Sequence, residues 1–300
     1  MTMKMKRRSV LAALGGAVAA GSASRAAWSQ GKPIRVGSKN FTESIVVANM
    51  IADVLEAAGF KVERKLQLGG TGVIHQALVN GDIDVYPEYT GTALLVQLKM
   101  PVENDAAKVY AIVKKEYAEK FKLAWADTLG FNDTYALAMK RSEAEKRKIV
   151  SISDLAAQSS ELRFGGSQEF LVRPDAIPGL EKTYGLKFKE KRGMDPGLVY
   201  QAIGTDNADV ISVFTTDARI KAQDLKVLRD DKFFFPPYFL TSVVRQDALE
   251  ANKGLLEALN RMGGKFTEDE MIQINAAIDL DKRPAAEVSK EWLKRKGIVQ

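Results

Sequence analysis

Segments with the apolar spacing of strands and of helices alternate through the first part of the chain. Three segments have apolar alternation bounded by turn residues and are predicted to be strands: 33–39 (PIRVGSK), 61–68 (KVERKLQL) and 83–86 (IDVY). Between them, residues 42–60 and 71–82 have apolar positions at helical spacing, and Thr42 is predicted to start a capping box. This order with short connections predicts an open parallel sheet covered by helices.

A second series of the same kind follows a long predicted helix at residues 105–121. Four segments are predicted strands: 135–141, 162–166, 208–214 and 225–231. A helix is predicted at 197–203, and the segment 239–245 (FLTSVVR) precedes two or three predicted terminal helices. Two such units predict an α/β protein with two lobes and a cleft between them. In open α/β sheets ligands bind beyond the carboxyl ends of the strands, so we expect the binding residues there.

The first 29 residues have the pattern of an export signal. They are basic and free of acidic residues, and a short run of apolar and small residues follows Arg7 and Arg8. The paired arginines resemble a twin-arginine signal, with a Sec signal as the alternative, and cleavage is predicted before Gln30 or after Ala26. The run is too short to span a bilayer, and no later segment approaches the roughly 20 apolar residues that a spanning helix needs. We therefore expect a periplasmic protein.

Charge and composition exclude several classes of protein. Without the leader the chain keeps 39 basic and 38 acidic residues, which gives no reason to expect nucleic acid as a partner. The sequence has no cysteine, which excludes a disulfide framework and the lipid anchor of a lipoprotein. With one histidine, His75, it also has little material for a metal site or a hydrolase triad. We expect no metal, no cofactor and no catalytic residue.

The segment DVYPEYTGT, residues 84–92, ends a predicted strand and carries several candidate functional residues. Asp82, Asp84 and Glu88 could serve an exported carboxylate-dependent hydrolase. The simpler interpretation places Asp82 in the GDID turn and makes Asp84 and Glu88 solvated or capping residues. In the same segment Tyr86 is predicted to pack in the strand.

Two other features have a structural and a functional interpretation. Backbone N–H groups of LGGTGV, which precedes a helix, could bind an anion, although such glycines also serve tight turns. His75, inside the helix GVIHQAL, is interpreted as a hydrogen-bonded packing residue. A less common set is formed by aromatic and cationic residues that share strand-end or loop positions in both lobes: Tyr89, Tyr135, Arg173, Phe214 and Tyr238.

Five motifs in this order resemble a known family. They are VGSKNFTES, HQALVNGDIDVYPEYTGTA, NDTYALAM, VFTTDARI and FFPPYFLTSVVR. Over about residues 32–300 the chain is similar to the osmoprotectant-binding proteins of ABC importers, of the OsmF/YehZ and OpuC type, which bind glycine betaine, choline or carnitine.

The resemblance implies the type II periplasmic binding protein fold, in which two α/β lobes joined by a hinge close over a ligand. Residues 30–134 and 240–300 would form the first lobe, and residues 135–239 the second. The two crossings between the lobes would then lie just after Asp133 and just after Tyr238.

The resemblance also implies the ligand-binding residues: Lys39, Tyr89, Thr92, Asp133, Tyr135, Arg173, Phe214 and Tyr238. Aromatic rings would enclose a trimethylammonium group, which has no N–H and is held by dispersion and ring faces. Lys39, Arg173 and the Thr92 hydroxyl would bind its carboxylate. Phe214 stands where the family commonly has tyrosine, which removes a hydroxyl from the site.

These observations predict a monomeric, non-enzymatic receptor that delivers a quaternary-ammonium zwitterion such as glycine betaine to an ABC permease and its ATPase subunit. Within the same class, the ligand could instead be choline, carnitine, ergothioneine or another amino-acid-like compound. The hydrolase and the effector-sensing module of a regulator are alternatives from other classes.

Overall fold

Two five-stranded sheets form the framework of residues 32–300, the part of the chain that the computed structural model describes. The predicted leader, residues 1–29, lies outside these described residues. The strands are β1 (Ile34–Gly37), β2 (Val62–Lys65), β3 (Val85–Tyr89), β4 (Leu123–Trp125), β5 (Tyr135–Lys140), β6 (Arg163–Ser167), β7 (Glu190–Met194), β8 (Val210–Phe214), β9 (Leu225–Val227) and β10 (Leu240–Arg245).

The two sheets have matching strand orders, β2-β1-β3-β10-β4 and β7-β6-β8-β5-β9. In the first sheet β1 pairs in parallel with β2 and β3, while β10 is antiparallel to β3 and β4. In the second, β6 is parallel to β7 and β8, while β5 is antiparallel to β8 and β9. The parallel pairing predicted for the first three strands is therefore confirmed, while β10 and β5 make both sheets mixed. The reversed strand of each sheet, β5 or β10, is the one that the chain enters as it crosses between the sheets.

Helices cover both sheets. They are α1 (Thr42–Ala57), α2 (Thr71–Asn80), α3 (Thr90–Thr92), α4 (Ala106–Phe121), α5 (Arg141–Arg147), α6 (Ile152–Ala156), α7 (Gln168–Val172), α8 (Ile177–Tyr184), α9 (Pro196–Gly204), α10 (Arg219–Ala222), α11 (Gln246–Ala251), α12 (Leu255–Asn260), α13 (Glu268–Asp279) and α14 (Ala285–Arg295). A π-helical turn, Ala93–Gln97, follows α3, and a 3-10 turn, Ser159–Glu161, precedes β6. No helix of residues 32–300 is long and apolar enough to cross a membrane.

The start of α1 differs from the prediction. Phe41 is the N-cap residue and makes no side-chain capping bond, so the capping box at Thr42 was wrong. Thr42 is the first helical residue, and its hydroxyl donates to Asp279 of α13 at 2.7 Å. A tertiary partner thus takes the hydroxyl that the local pattern assigned to the cap.

Two segments cross between the sheets, and they run next to each other. Asn132 and Phe239 form an antiparallel bridge, and the Asp133 N–H donates to the Tyr238 carbonyl at 3.1 Å. The Asn132 side chain accepts from the Tyr238 N–H at 2.6 Å. We call the parts of the chain around the first and second sheets the first and second lobes. The residue boundaries predicted for the lobes stay a prediction.

Candidate functional site

A cavity of about 360 Å³ lies between the lobes, at the ends of the strands of both sheets. We call it the first cavity. It is lined by all eight residues that the resemblance assigns to the ligand: Lys39, Tyr89, Thr92, Asp133, Tyr135, Arg173, Phe214 and Tyr238. Tyr89 and Phe214 end β3 and β8, as the strand-end argument expects. Tyr135 and Tyr238 instead lie at or just before the starts of the antiparallel strands β5 and β10, which face the same cleft. Their role in ligand binding stays a prediction.

Aromatic rings from both lobes form a connected group at this cavity. Phe214 stacks on Tyr135 with ring centroids 4.7 Å apart and on Phe41 with centroids 5.1 Å apart. Tyr238 meets the edge of Tyr135 at 5.9 Å, and Phe41 lies 6.2 Å from Tyr89. Sequence reasoning missed Phe41 as a site residue. It lies shortly after β1, as Tyr89 ends β3 and Phe214 ends β8, so its strand-end position was the signal.

Protein cations already lie over two of these rings. The Lys39 ammonium is 5.3 Å from the centroid of Tyr89, and the Arg173 guanidinium is 5.2 Å from the centroid of Tyr135. These are cation–π distances. The faces of both tyrosines are therefore oriented toward positive charge within the cleft.

Lys39 is paired with a buried carboxylate. Its ammonium donates to Glu88 at 2.6 Å, and Glu88 is fully buried. Glu88 also accepts from the Tyr86 hydroxyl and the Tyr89 N–H, each at 2.8 Å. The interpretation of Glu88 as a solvated or capping residue was wrong, because β3 is central in the sheet and directs this side chain inward. Tyr86 is buried, as predicted.

Asp84 was also interpreted incorrectly. It is 8% exposed, and its carboxylate accepts from the Arg35 backbone N–H at 2.8 Å and from the guanidinium at 2.9 and 2.6 Å. This pair joins β3 to β1. It is structural and lies outside the first cavity.

Arg173 links the two lobes. Its guanidinium donates to Asp175 at 2.8 and 2.5 Å within the second lobe. Across the cleft it donates to the hydroxyls of Thr71 and Thr92, each at 3.1 Å. Asp175 also accepts from the Tyr238 hydroxyl at 2.7 Å. The charge of Arg173 is therefore balanced locally, while its remaining donors hold the lobes together.

The start of α2 holds an anion, which was one of the two interpretations of its glycine-rich sequence. The anion is the carboxylate of Glu169 from the second lobe, which accepts from the Thr71 N–H and from the Thr71 hydroxyl, the latter at 3.0 Å. A Cβ atom at Gly70 would clash with this carboxylate, so a larger residue there would displace the Glu169 side chain from the start of α2. The hydrogen bonds of Glu169 and Arg173 across the cleft show that the lobes are closed.

Two further carboxyl groups are buried beside the aromatic rings. Glu43 of α1 accepts from Tyr89 at 2.8 Å, from Thr216 of the second lobe at 2.6 Å and from Asn275 at 3.1 Å. Burial raises the pKa of Glu43. Burial, with the nearby charge of Glu43, also raises the pKa of Asp133 well above its usual value. Sequence reasoning missed Glu43, although it lies within the VGSKNFTES motif.

His75 lies in the core and away from this cavity. It is 6% exposed and packs edge-on against Tyr117 and Phe121, with centroids 5.6 and 4.8 Å apart. The prediction that His75 packs in the core is therefore confirmed, but its Nδ1 atom makes no hydrogen bond. Burial lowers the pKa of His75 and favours the neutral ring.

The arrangement is suited to holding a small polar and cationic molecule. Among residues 32–300 no group of three or more acidic or histidine side chains is placed to hold a metal ion. The first cavity combines ring faces, buried N–H donors and hydroxyls, and its size falls within the range of small-molecule sites.

The family model for the substrate-binding domain of ABC-type glycine betaine transport systems matches residues 32–295. The chain belongs to this family. It is accordingly a substrate-binding protein of an ABC transporter, with a small-molecule ligand and a permease as partner. The prediction that it is not an enzyme is confirmed.

Named relatives support this assignment. The chain is 34% identical over 265 residues to the carnitine transport binding protein OpuCC of Listeria monocytogenes, covering 87% of this chain and 86% of that protein. It is 37% identical over 268 residues to the ergothioneine transport permease/ergothioneine binding protein EgtU of Helicobacter pylori. The match covers 89% of this chain and 48% of EgtU, so the chain spans about half the length of that relative.

Solved structures agree on the fold. A glycine betaine/carnitine/choline ABC transporter structure superposes with a TM-score of 0.69 at 32% identity, covering 89% of this chain and 98% of the other. The apo structure of YehZ from Escherichia coli gives 0.63 at 31% identity, covering 90% and 100%. The prediction of a two-lobed type II periplasmic binding protein fold is confirmed.

Proposed function

We propose that this protein is an exported receptor that encloses a quaternary-ammonium zwitterion, such as glycine betaine, in an aromatic cage and delivers it to the permease. One observation carries the proposal. Rings from both lobes converge on the first cavity, and protein cations lie over the Tyr89 and Tyr135 faces. A trimethylammonium group needs such faces because it cannot donate a hydrogen bond.

The polar side of the cavity supports a zwitterion rather than an anion. Glu88 and Asp175 already balance the charges of Lys39 and Arg173. Spare N–H donors remain on both cations. The Lys39 ammonium has three N–H groups and donates one of them to Glu88, and the Arg173 guanidinium has five and donates four of them within the protein. The carboxylate of a zwitterion could accept hydrogen bonds from these spare N–H groups. Because the two cations are already neutralised, the cleft has no net positive charge from them that would attract anions in general.

The same geometry explains how binding would be coupled to delivery. Tyr89 and Thr92 come from the first lobe, whereas Arg173 and Phe214 come from the second. A ligand that contacts both stabilises the closed arrangement, which a permease can distinguish from the open one. The predicted leader supports export, and the ATPase subunit would complete the importer.

The test is calorimetry and thermal unfolding of the protein with its leader removed. The compounds are glycine betaine, choline, carnitine, ergothioneine and proline. A ligand at 100 times its Kd should stabilise the protein by about 2.7 kcal/mol. Tyr89→Ala should weaken binding at least tenfold, because it removes a ring face worth about 0.5 to 2 kcal/mol and a polar contact with Glu43.

Tyr110→Ala is the matched control, because Tyr110 is partly buried in α4 and lies outside the first cavity. It should leave affinity unchanged. The proposal fails if an ordinary amino acid or sugar stabilises the protein and no quaternary ammonium compound does. Equal affinities of Tyr89→Ala and the wild type would remove Tyr89 from the cage.

A further inference from the structure

Glu169 makes a direct polar contact between the two lobes. It lies in α7 of the second lobe, and its carboxylate accepts from the N–H and, at 3.0 Å, from the hydroxyl of Thr71 in the first lobe. The Arg173 guanidinium of its own lobe lies 3.8 Å away, beyond hydrogen-bond distance. Within residues 32–300, every hydrogen bond that this carboxylate accepts therefore crosses the cleft. Glu169 serves the closed arrangement rather than the fold of its own lobe.

The start of α2 is suited to hold this carboxylate. Thr71 is the first residue of the helix, so its N–H has no acceptor within the helix. Gly70 is the N-cap residue and has no side chain that could accept from it. The N-terminus of a helix also carries partial positive charge, which favours an anion. Glu169 thus supplies from the second lobe the cap that the sequence of the first lobe leaves out.

Gly70 provides the space for this contact. The three atoms nearest to a Cβ placed on Gly70 all belong to the Glu169 side chain, and they lie close enough to clash. A Cβ placed on Gly72, two residues later, would meet no atom within 4 Å. The backbone at Gly70 has a φ of −83°, which any L-residue can adopt. The seated carboxylate, and not the backbone conformation, therefore accounts for the glycine.

The exposure of Glu169 makes this contact reversible. Its side chain is 33% exposed in the closed protein, so its charge is partly solvated there, and separation of the lobes returns it to water. The buried pair of Lys39 and Glu88 differs, with side-chain exposures of 4% and 0%. A partly exposed charge contributes less than a buried one, because water competes for it. Glu169 can therefore favour closure of the lobes without locking them.

We propose that Glu169 is a latch that closes the cleft without a ligand, so that closed protein forms a substantial fraction of the ligand-free population. Its hydrogen bonds join protein to protein, so they form whenever α7 meets α2, whatever the cleft holds. A ligand then adds its contacts to an arrangement that the latch has already populated, and its apparent affinity rises in proportion to the closed fraction. This inference goes beyond the proposed function and does not depend on which ligand is bound.

The experiment uses the ligand-free protein with its predicted leader removed, after unfolding and refolding to release any bound molecule. Small-angle X-ray scattering measures the radius of gyration, which reports the ratio of closed to open protein. NMR measures hydrogen exchange of the Thr71 N–H, which the latch protects. The two measurements together separate opening of the whole cleft from a local change at α2.

Three latch variants are compared with two matched controls. The latch variants are Gly70→Ala, Glu169→Ala and their combination. Gly72→Ala is the control for the start of α2, because a Cβ there meets no neighbouring atom. Glu181→Ala is the control for the charge, because Glu181 is a second-lobe glutamate with the same 33% side-chain exposure and lies outside the first cavity.

Gly70→Ala and Glu169→Ala should each lower the ratio of closed to open protein by about 2- to 12-fold, the range that one hydrogen bond contributes. The radius of gyration should therefore rise and the Thr71 N–H should exchange faster, whereas both controls should match the wild type. The combined variant should behave like Glu169→Ala alone, because both substitutions remove the same contact.

The inference is overturned if the wild type and both single latch variants have the same radius of gyration and the same Thr71 exchange. It is also overturned if Gly72→Ala opens the protein as much as Gly70→Ala does. Glu169→Ala leaves α2 untouched, so it decides the question even if Gly70→Ala folds poorly. No ligand is added, so a failure of glycine betaine to bind would count against the proposed function alone.

Discussion

The buried pair of Lys39 and Glu88 makes a strong prediction about stability. The substitution Glu88→Gln keeps the size and shape of the side chain but removes its charge. Lys39 has only 4% of its side chain exposed and loses the carboxylate that lies 2.6 Å from its ammonium. The substitution also weakens two other hydrogen bonds, those from the Tyr86 hydroxyl and the Tyr89 N–H.

The expected loss is about 3 to 5 kcal/mol, the usual result of leaving one member of a buried ion pair uncompensated. An exposed ion pair of similar geometry contributes only about 0 to 1 kcal/mol. The chain contains such a pair, Lys140 and Asp206, with a distance of 2.7 Å and exposures of 32% and 79%. Asp206→Asn is therefore a matched control with an expected loss below 1 kcal/mol.

Urea unfolding at pH 7, followed by circular dichroism, measures both free energies of unfolding. The double substitution Lys39→Met with Glu88→Gln should recover part of the loss, because it removes the uncompensated ammonium. The reasoning is refuted if Glu88→Gln costs no more than Asp206→Asn. It is also refuted if the double variant is less stable than Glu88→Gln alone.

Two more predictions concern the aromatic and acidic walls of the cleft. Phe214→Tyr adds a hydroxyl beside the first cavity and should change the glycine betaine affinity by about 2- to 12-fold, the range of a hydrogen bond of about 0.5 to 1.5 kcal/mol. An unchanged Kd by calorimetry would place the ring away from the ligand. Glu43→Gln should flatten the pH dependence of stability. Burial raises the folded-state pKa of Glu43 above the value of about 4.5 that it has in the unfolded chain. The folded protein therefore keeps this proton to higher pH, and its stability falls as pH rises above about 4.5. Urea unfolding between pH 4 and 8 measures the free energy of unfolding of the wild type and of Glu43→Gln. The prediction is wrong if both lose stability by the same amount as pH rises.

Much of the fold could be predicted from the local pattern. The strand at residues 135–141 is found at Tyr135–Lys140, and the long helix at 105–121 is found at Ala106–Phe121, with Asp105 as its N-cap. Strand direction could not be predicted in this way. β5 and β10 have the same apolar pattern as the parallel strands, and their reversal follows from where the chain crosses between the lobes.

The position of the site was also accessible from the sequence, because residues that follow buried strands meet at the edge of a sheet. Tyr89 and Phe214 end β3 and β8 and follow this rule, and so does Phe41, which was missed. Tyr135 begins β5 and reaches the same edge because β5 is antiparallel to β8. The acidic residues were the main error. Glu88 was interpreted as solvated because a glutamate in an isolated motif gives no sign that a lysine 49 residues away will neutralise it.

By itself, the sequence of this protein determined its element order, its family motifs and the residues that converge on the cleft, because these depend on local periodicity and on the side chains that each strand end presents. Only the tertiary structure decided which charges remain available. Glu169 reaches Thr71 across 98 positions and Thr216 reaches Glu43 across 173. A charge that is buried needs a partner, and that partner is chosen by proximity in the closed protein rather than by proximity in the chain.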